Sequence, residues 1–151
     1  MEFAMTSLKT LALCAVLALA PAAAFAQTAP ASDAALTLTF PQLKTPSGML
    51  LIAVYDSAEG WSANKSVRVA MAPGADAVPT ARLEGLTPGR YGVKVFQDLN
   101  GDGRMGINPF GLPVEPYGFS RDARPNMGPP SFEDAAFVVT AGDNAQAIVL
   151  H

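Results

Sequence analysis

Short apolar runs, most of them alternating with period two and most bounded by a turn signal, constrain this chain more than any other feature. Alternation sends successive side chains to opposite faces of an extended backbone, so such a run reads as a strand with one dry face. Leu36, Leu38 and Phe40 alternate with Thr37 and Thr39. Met49 to Tyr55 is apolar on both faces, the pattern of a central strand buried on both sides or reaching under a loop. Val67, Val69 and Met71 alternate with Arg68 and Ala70, and Val78 to Leu83 makes a fourth strand. The fifth, Arg90 to Gln97, sets Tyr91, Val93 and Val95 on one face and Lys94 and Phe96 on the other. Ala136 to Thr140 and Ala145 to Leu150 are the sixth and seventh.

Pro46-Ser47-Gly48, Pro73-Gly74, Gly85-Leu86-Thr87-Pro88-Gly89 and Ala141-Gly142-Asp143-Asn144 supply turns. Asp56 to Lys65 reads as a loop or short helical turn. Beyond the N-terminal block no stretch carries the period of a long amphipathic helix. Short strands without helical crossovers predict an all-β fold, a seven-stranded antiparallel β-sandwich over residues 35–151.

The N-terminal block fixes the expected compartment. Lys9, the apolar run Leu11 to Ala20, Pro21 and the small residues up to Ala26 have the order of a secretory signal peptide cleaved after Ala26. Residues 1–26 are therefore read as signal peptide and 27–34 as a disordered leader. The destination is the periplasm or the medium. The apolar run falls short of the roughly 20 residues a bilayer span needs, so no membrane insertion is expected after cleavage. Glu2 offsets Lys9, which leaves Met1 and Met5 both as candidate starts. The single cysteine, Cys14, follows Leu13 where a lipid-anchor signal needs a small residue. An exported domain without a disulfide rests on its hydrophobic core. A net charge of −3 offers no counterion-release affinity for nucleic acid, and no polybasic stretch faces anionic lipid.

Between the fifth and sixth strands lies a long connection, Asp98 to Asp134, with prolines at 109, 113, 116, 125, 129 and 130. It holds Asp98, Asp102, Glu115, Asp122, Glu133 and Asp134, six of the chain's 13 acidic residues. Connections of this length are uncommon unless functional or disordered. Phe110, Tyr117, Phe119 and Phe132 favour order, because they can pin the segment to the sheets. The expectation is an ordered cap with a polar interior.

That connection opens with Asp98-Leu99-Asn100-Gly101-Asp102-Gly103. Oxygen ligands at alternate positions followed by glycine match the opening of a calcium loop. Asp98, Asn100 and Asp102 would supply side chains, Arg104 its carbonyl, and Asn108 or Glu115 a last oxygen. Gly106 and Pro109 occupy positions where the full motif has ligands. With so few carboxylates, binding would be weak, about 10⁻⁴ to 10⁻³ M. The same residue types also build Asx turns without an ion, and both readings stay open at this stage. The run Gly101-x-Gly103-x-x-Gly106 matches a dinucleotide fingerprint only formally, since the following prolines forbid the helix that motif needs.

Catalytic groups are scarce. His151 is the sole histidine, so nucleophile–histidine triads and histidine-rich zinc sites cannot be assembled. A carboxylate pair drawn from Glu115, Asp122 and Glu133 is the remaining route, to a hydrolase of envelope polysaccharide. Tyr55 and Trp61 would form a sugar-stacking platform if exposed and coplanar, and otherwise pack inside. Arg121 and Arg124, flanking Asp122, suit either an anionic ligand or the loop's own acids. The leading expectation is a non-enzymatic binding or accessory domain of the cell envelope, its partner an envelope protein or glycan, its contact surface the segment Phe110 to Phe119.

Phe96-Gln97-Asp98-Leu99-Asn100-Gly101-Asp102-Gly103, Asn108, Gly111-Leu112-Pro113-Val114-Glu115 and Tyr117-Gly118-Phe119-Ser120 together resemble the signature of a bacterial exported family, domain of unknown function 2141. Pro129 to Ala135 and Gly85 to Tyr91 resemble it too, so the likeness covers Leu36 to Leu150. It implies a secreted or periplasmic sandwich of the transthyretin or immunoglobulin kind, with no established activity. The chain departs from the family pattern at Gln97, where a histidine precedes the first aspartate, and at Gly106, where an acidic residue is usual.

Overall fold

The computed structural model describes residues 33–151; the expected signal peptide, and all but the last two residues of the expected leader, lie outside them. The alternating runs pair into two sheets. In the first, β1 (Ala34–Thr39) lies between antiparallel β4 (Thr80–Leu86) and parallel β8 (Gly142–Ala147). The second runs β3 (Arg68–Pro73), β2 (Met49–Tyr55), β5 (Gly89–Asp98), β6 (Tyr117–Phe119), all antiparallel neighbours. The short β7 (Phe137–Val139) also pairs with β5, at Gly89 to Tyr91.

Several details differ from the expected seven antiparallel strands, among them β4, which begins at Thr80 and runs to Leu86 into the expected Gly85–Gly89 turn. An extra strand, β6, sits inside the predicted loop; at three residues it is too short for alternation to register. The last strand starts at Gly142, not Ala145, and runs parallel to β1. Its sequence, GDNAQA, has no alternating large apolar face, so the pattern that marks the other strands is missing. The long connection also contains a 3₁₀ turn (Ser120–Asp122) and the helix α2 (Phe132–Ala135).

A single core draws on both sheets. Leu36, Leu38 and Phe40 meet Leu50, Ile52, Val54, Val93, Val95, Ile148 and Leu150 there, all essentially closed to solvent. Each such side chain contributes about 1.5–3 kcal/mol relative to exposure. At β3 the expected dry face, Val67, Val69 and Met71, turns outward instead, because the space against the first sheet admits only small side chains there. The small residues Ala70 and Ala72 face the core, and Val69 and Met71 face solvent.

Gln97, fully buried, donates from Nε2 to the carbonyls of Thr45 and Ser47 at 2.6 Å each, tying the β1–β2 connection to the end of β5. Gly48 is held there at φ +69°, where a Cβ would lie 2.2 Å from the Asp98 carbonyl oxygen.

On the other face of the second sheet, α1 (Ala58–Ala63) and α2 build a smaller cluster of Tyr55, Trp61, Phe119, Phe132, Ala135 and Ala136. Ser57 caps α1 by accepting the Gly60 N–H, and Asn64 ends it at φ 52°. Trp61 lies over Gly92, where an added Cβ would come within 2.9 Å of the indole. Its Nε1–H donates to the Pro130 carbonyl at 2.8 Å and anchors the long connection. Among the described residues no helix is long and apolar enough to cross a membrane.

Candidate ligand-binding groove

Strand register arranges the outer face of the second sheet into cross-strand rows. One row reads Met71, Leu51, Phe96, Tyr117, and the next Val69, Ala53, Lys94, Phe119. Lys94 apart, both rows are apolar or aromatic. Such a face is normally covered, and here the cover is partial: α1 closes the end at Tyr55, while the long connection rises beside the other.

The connection holds its shape through its own polar groups. Asp98, 5 % exposed, accepts the Gly101 N–H on Oδ1 at 2.7 Å and the Gly103 N–H on Oδ2 at 2.9 Å. Glu115, 7 % exposed, accepts Leu99 N–H on one oxygen and Gly106 N–H on the other, both at 2.9 Å. Two buried carboxylates thus gather four backbone donors of one turn in charge-assisted bonds. Asn100 accepts the Asp102 N–H and donates to Asp102 Oδ2, and Asp102 Oδ1 accepts the Arg104 N–H. Asn108 Oδ1 accepts both Phe110 and Leu112 N–H, closing the tip of a small hairpin. That hairpin is laddered by Asn108 N–H to the Leu112 carbonyl, Val114 N–H to the Gly106 carbonyl, and a bridge between Ile107 and Pro113.

All six residues considered as calcium ligands therefore lie in one folded turn, but five turn side-chain oxygens toward backbone N–H groups and the sixth, Arg104, donates one. Among the described residues, no three His, Cys, Asp or Glu side chains gather closely enough to share an ion.

Fixed this way, the hairpin presents Ile107, Phe110 and Leu112 to solvent; Phe110 is 88 % exposed. Together with Met105, Pro113, Pro125 and Met127 they wall a groove whose floor is the two rows, about 1090 Å³ in volume. Ligand sites for small molecules typically measure about 300–1,000 Å³ and are concave and mostly apolar with few polar groups. Methionine, present three times in the lining, adapts to varied apolar shapes.

One charge enters this space. Lys94 Nζ donates to the Trp61 carbonyl at 2.8 Å and to Asn64 Oδ1 at 2.7 Å. It stands 4.6 Å from the Trp61 ring centroid and 4.8 Å from that of Tyr55, within cation–π range. Burial pushes the Lys94 ammonium below its usual pKa and the Tyr55 phenol above its own.

The other candidates are dispersed. Glu115 is a turn cap; Glu133 pairs with Arg90 at 2.6 Å; Asp122 pairs with Arg124 and His151, each at 2.8 Å. None of the three lines the groove. The His151 hydrogen bond and the Arg124 charge hold Asp122 below the usual carboxylate range, opposite to what a general acid needs. Arg121 donates to the Ala136 carbonyl. Tyr55 and Trp61 are both 4 % exposed with ring planes at 71°, so they pack edge to face and form no exposed platform. The segment Phe110 to Phe119, expected as a contact surface, supplies part of the groove's lining, but the floor escaped sequence reasoning because it joins strands distant in sequence.

A protein-family model described as "Uncharacterized protein conserved in bacteria (DUF2141)" matches residues 38–147. No curated protein and no solved structure matches this chain.

Proposed function

Since the chain belongs to the DUF2141 family of uncharacterized bacterial proteins, we propose that it is an exported, non-enzymatic binding domain of the cell envelope, a two-sheet sandwich that holds apolar ligands in the groove beside its 106–114 hairpin. The single observation that carries this reading is the groove: two largely apolar rows of a sheet left open and flanked by a hairpin that its own hydrogen bonds keep in place. Exposed apolar surface of this extent carries a cost in water unless something occupies it. Its concavity suits a small or chain-like molecule better than a flat protein face.

The Asp98 turn is, in this account, a hydrogen-bonded scaffold for the hairpin. Its two buried carboxylates accept four backbone N–H groups of the turn in charge-assisted bonds, which fix the loop without an ion in this reading. The envelope polysaccharide readings lose their support with the dispersal of Glu115, Asp122 and Glu133 and the burial of Trp61.

Titration of the purified protein with the neutral apolar fluorophore N-phenylnaphthylamine tests the proposal. Saturable fluorescence enhancement, weakened at least tenfold by Met71→Asp on the exposed floor of the groove, is the expected outcome. Enhancement that never saturates, or that Met71→Asp leaves unchanged, refutes it.

A further inference from the structure

We infer that the groove selects a long-chain monocarboxylic acid, with Lys94 binding the carboxylate while the chain lies along the apolar rows; this rests on the groove reading above. Among the described residues, Lys94 is the one charged side chain in the lining. An ammonium has three N–H donors, and two are committed, to the Trp61 carbonyl and Asn64 Oδ1. Among the described residues no carboxylate lies within 4.0 Å of Nζ.

Every other part of the lining favours an uncharged occupant. Leu51, Val69, Met71, Phe96 and Leu112 offer no hydrogen bonds, and a chain of methylenes loses water against them at about 25 cal/mol per Å². A cation at one end of such a surface, half removed from water and lacking a counter-charge, gains most from an anion that arrives with the chain. The aromatic rings of Tyr55 and Trp61 and the two oxygen acceptors keep the ammonium in place before any ligand comes.

The donor count limits the head group. One N–H remains on Lys94, with the Asn64 amide and the Tyr55 hydroxyl in the same lining as further neutral donors, a set with a single positive charge that matches a monoanion. Phosphate and sulfate heads favour the bidentate fork of arginine, and no arginine lines this groove among the described residues.

Displacement of bound N-phenylnaphthylamine by two twelve-carbon competitors, laurate and 1-dodecanol, separates this inference from the groove reading. Laurate is expected to displace the probe at least tenfold more effectively than the alcohol, and in Lys94→Met the two are expected to become equal. Equal potency on the wild-type protein overturns the role of Lys94 and leaves the groove reading standing. A laurate preference that survives in Lys94→Met also overturns it. Failure of the probe itself to bind removes the groove reading and this inference together, whereas failure of both competitors against a bound probe overturns this inference alone. The acid-versus-alcohol comparison uses the unaltered protein, so it holds whether or not Lys94→Met folds.

Discussion

The hydroxyl of Ser120 accepts the Val93 N–H at 2.9 Å, filling the gap between the two short strands that share one edge of β5. β6 pairs with Lys94 to Phe96 and β7 with Gly89 to Tyr91, which leaves Val93 without a strand partner on that side. Ser120 is fully buried and its own O–H donates to the Ala135 carbonyl at 2.6 Å. Ser120→Ala therefore strands a buried donor and a buried acceptor. Each such group costs about 1–3 kcal/mol, and urea unfolding should show a loss within or above that range at unchanged slope. A loss below about 0.5 kcal/mol, the usual size for a neutral surface change, would contradict this account.

The acids of the Asp98 turn differ in burial, Asp98 being 5 % exposed and Asp102 open to solvent. Asp98→Ala removes a buried carboxylate that holds two backbone donors, at about 1.5–3 kcal/mol for bonds to a charged group. Asp102 is exposed, and its alanine variant should lose less than about 1 kcal/mol. Millimolar calcium should leave the wild-type melting midpoint where a chelator leaves it. A calcium-dependent rise, required by linkage once the ion exceeds its dissociation constant, would return the turn to ion binding.

Much of the architecture was legible in the residues, and the reasons are physical. Leu36, Leu38 and Phe40, and Tyr91, Val93 and Val95, all face the core as their alternation requires. β8 was misplaced because GDNAQA has no alternating apolar face, so its pairing rests on backbone bonds and on the polar contacts of Asn144 with the Ala35 carbonyl and Asp143 with Arg82. The turn at Asp98 was recognisable as a local structure, but the same oxygens serve an ion or a backbone, and only the fold shows Leu99 and Gly106 converging on Glu115. The groove depends on register between strands distant in sequence, Met71 beside Leu51 beside Phe96, which no local pattern encodes.

Lys94 gives the fold an alkaline signature. Burial lowers its pKa in the folded state, so between that value and the ordinary 10.5 the unfolded chain binds more protons. Stability contributed through this group therefore rises with pH across that window. Tyr55, raised by burial from 10.0, acts in the opposite sense above pH 10. Subtracting the unfolding curve of Lys94→Met from that of the wild type should cancel Tyr55 and leave a difference that grows toward pH 10.5. A flat difference would mean that Lys94 is no more buried than in the unfolded chain.

Asp122 gives an acid signature of smaller size. Its pKa is depressed by the hydrogen bond with His151, then by Arg124, so the stability it contributes is present above its ordinary 3.8 and lost as pH falls through the folded value. The pair is half exposed, and its contribution should be about 1 kcal/mol or less. The stability difference between wild type and Asp122→Asn should be fully present well above pH 3.8 and fall toward zero as the pH drops below 3.8 through the lowered folded-state value.

Methionine methyl groups report most directly on the groove. Met71, Met105 and Met127 line it, while Met49 lies outside its lining. In protein carrying ¹³C-methyl methionine, saturating laurate should shift the first three resonances along one binding curve and leave Met49 in place. Unshifted resonances at Met71, Met105 and Met127, or a change at Met49 as large as theirs, would contradict a ligand seated between the sheet and the hairpin.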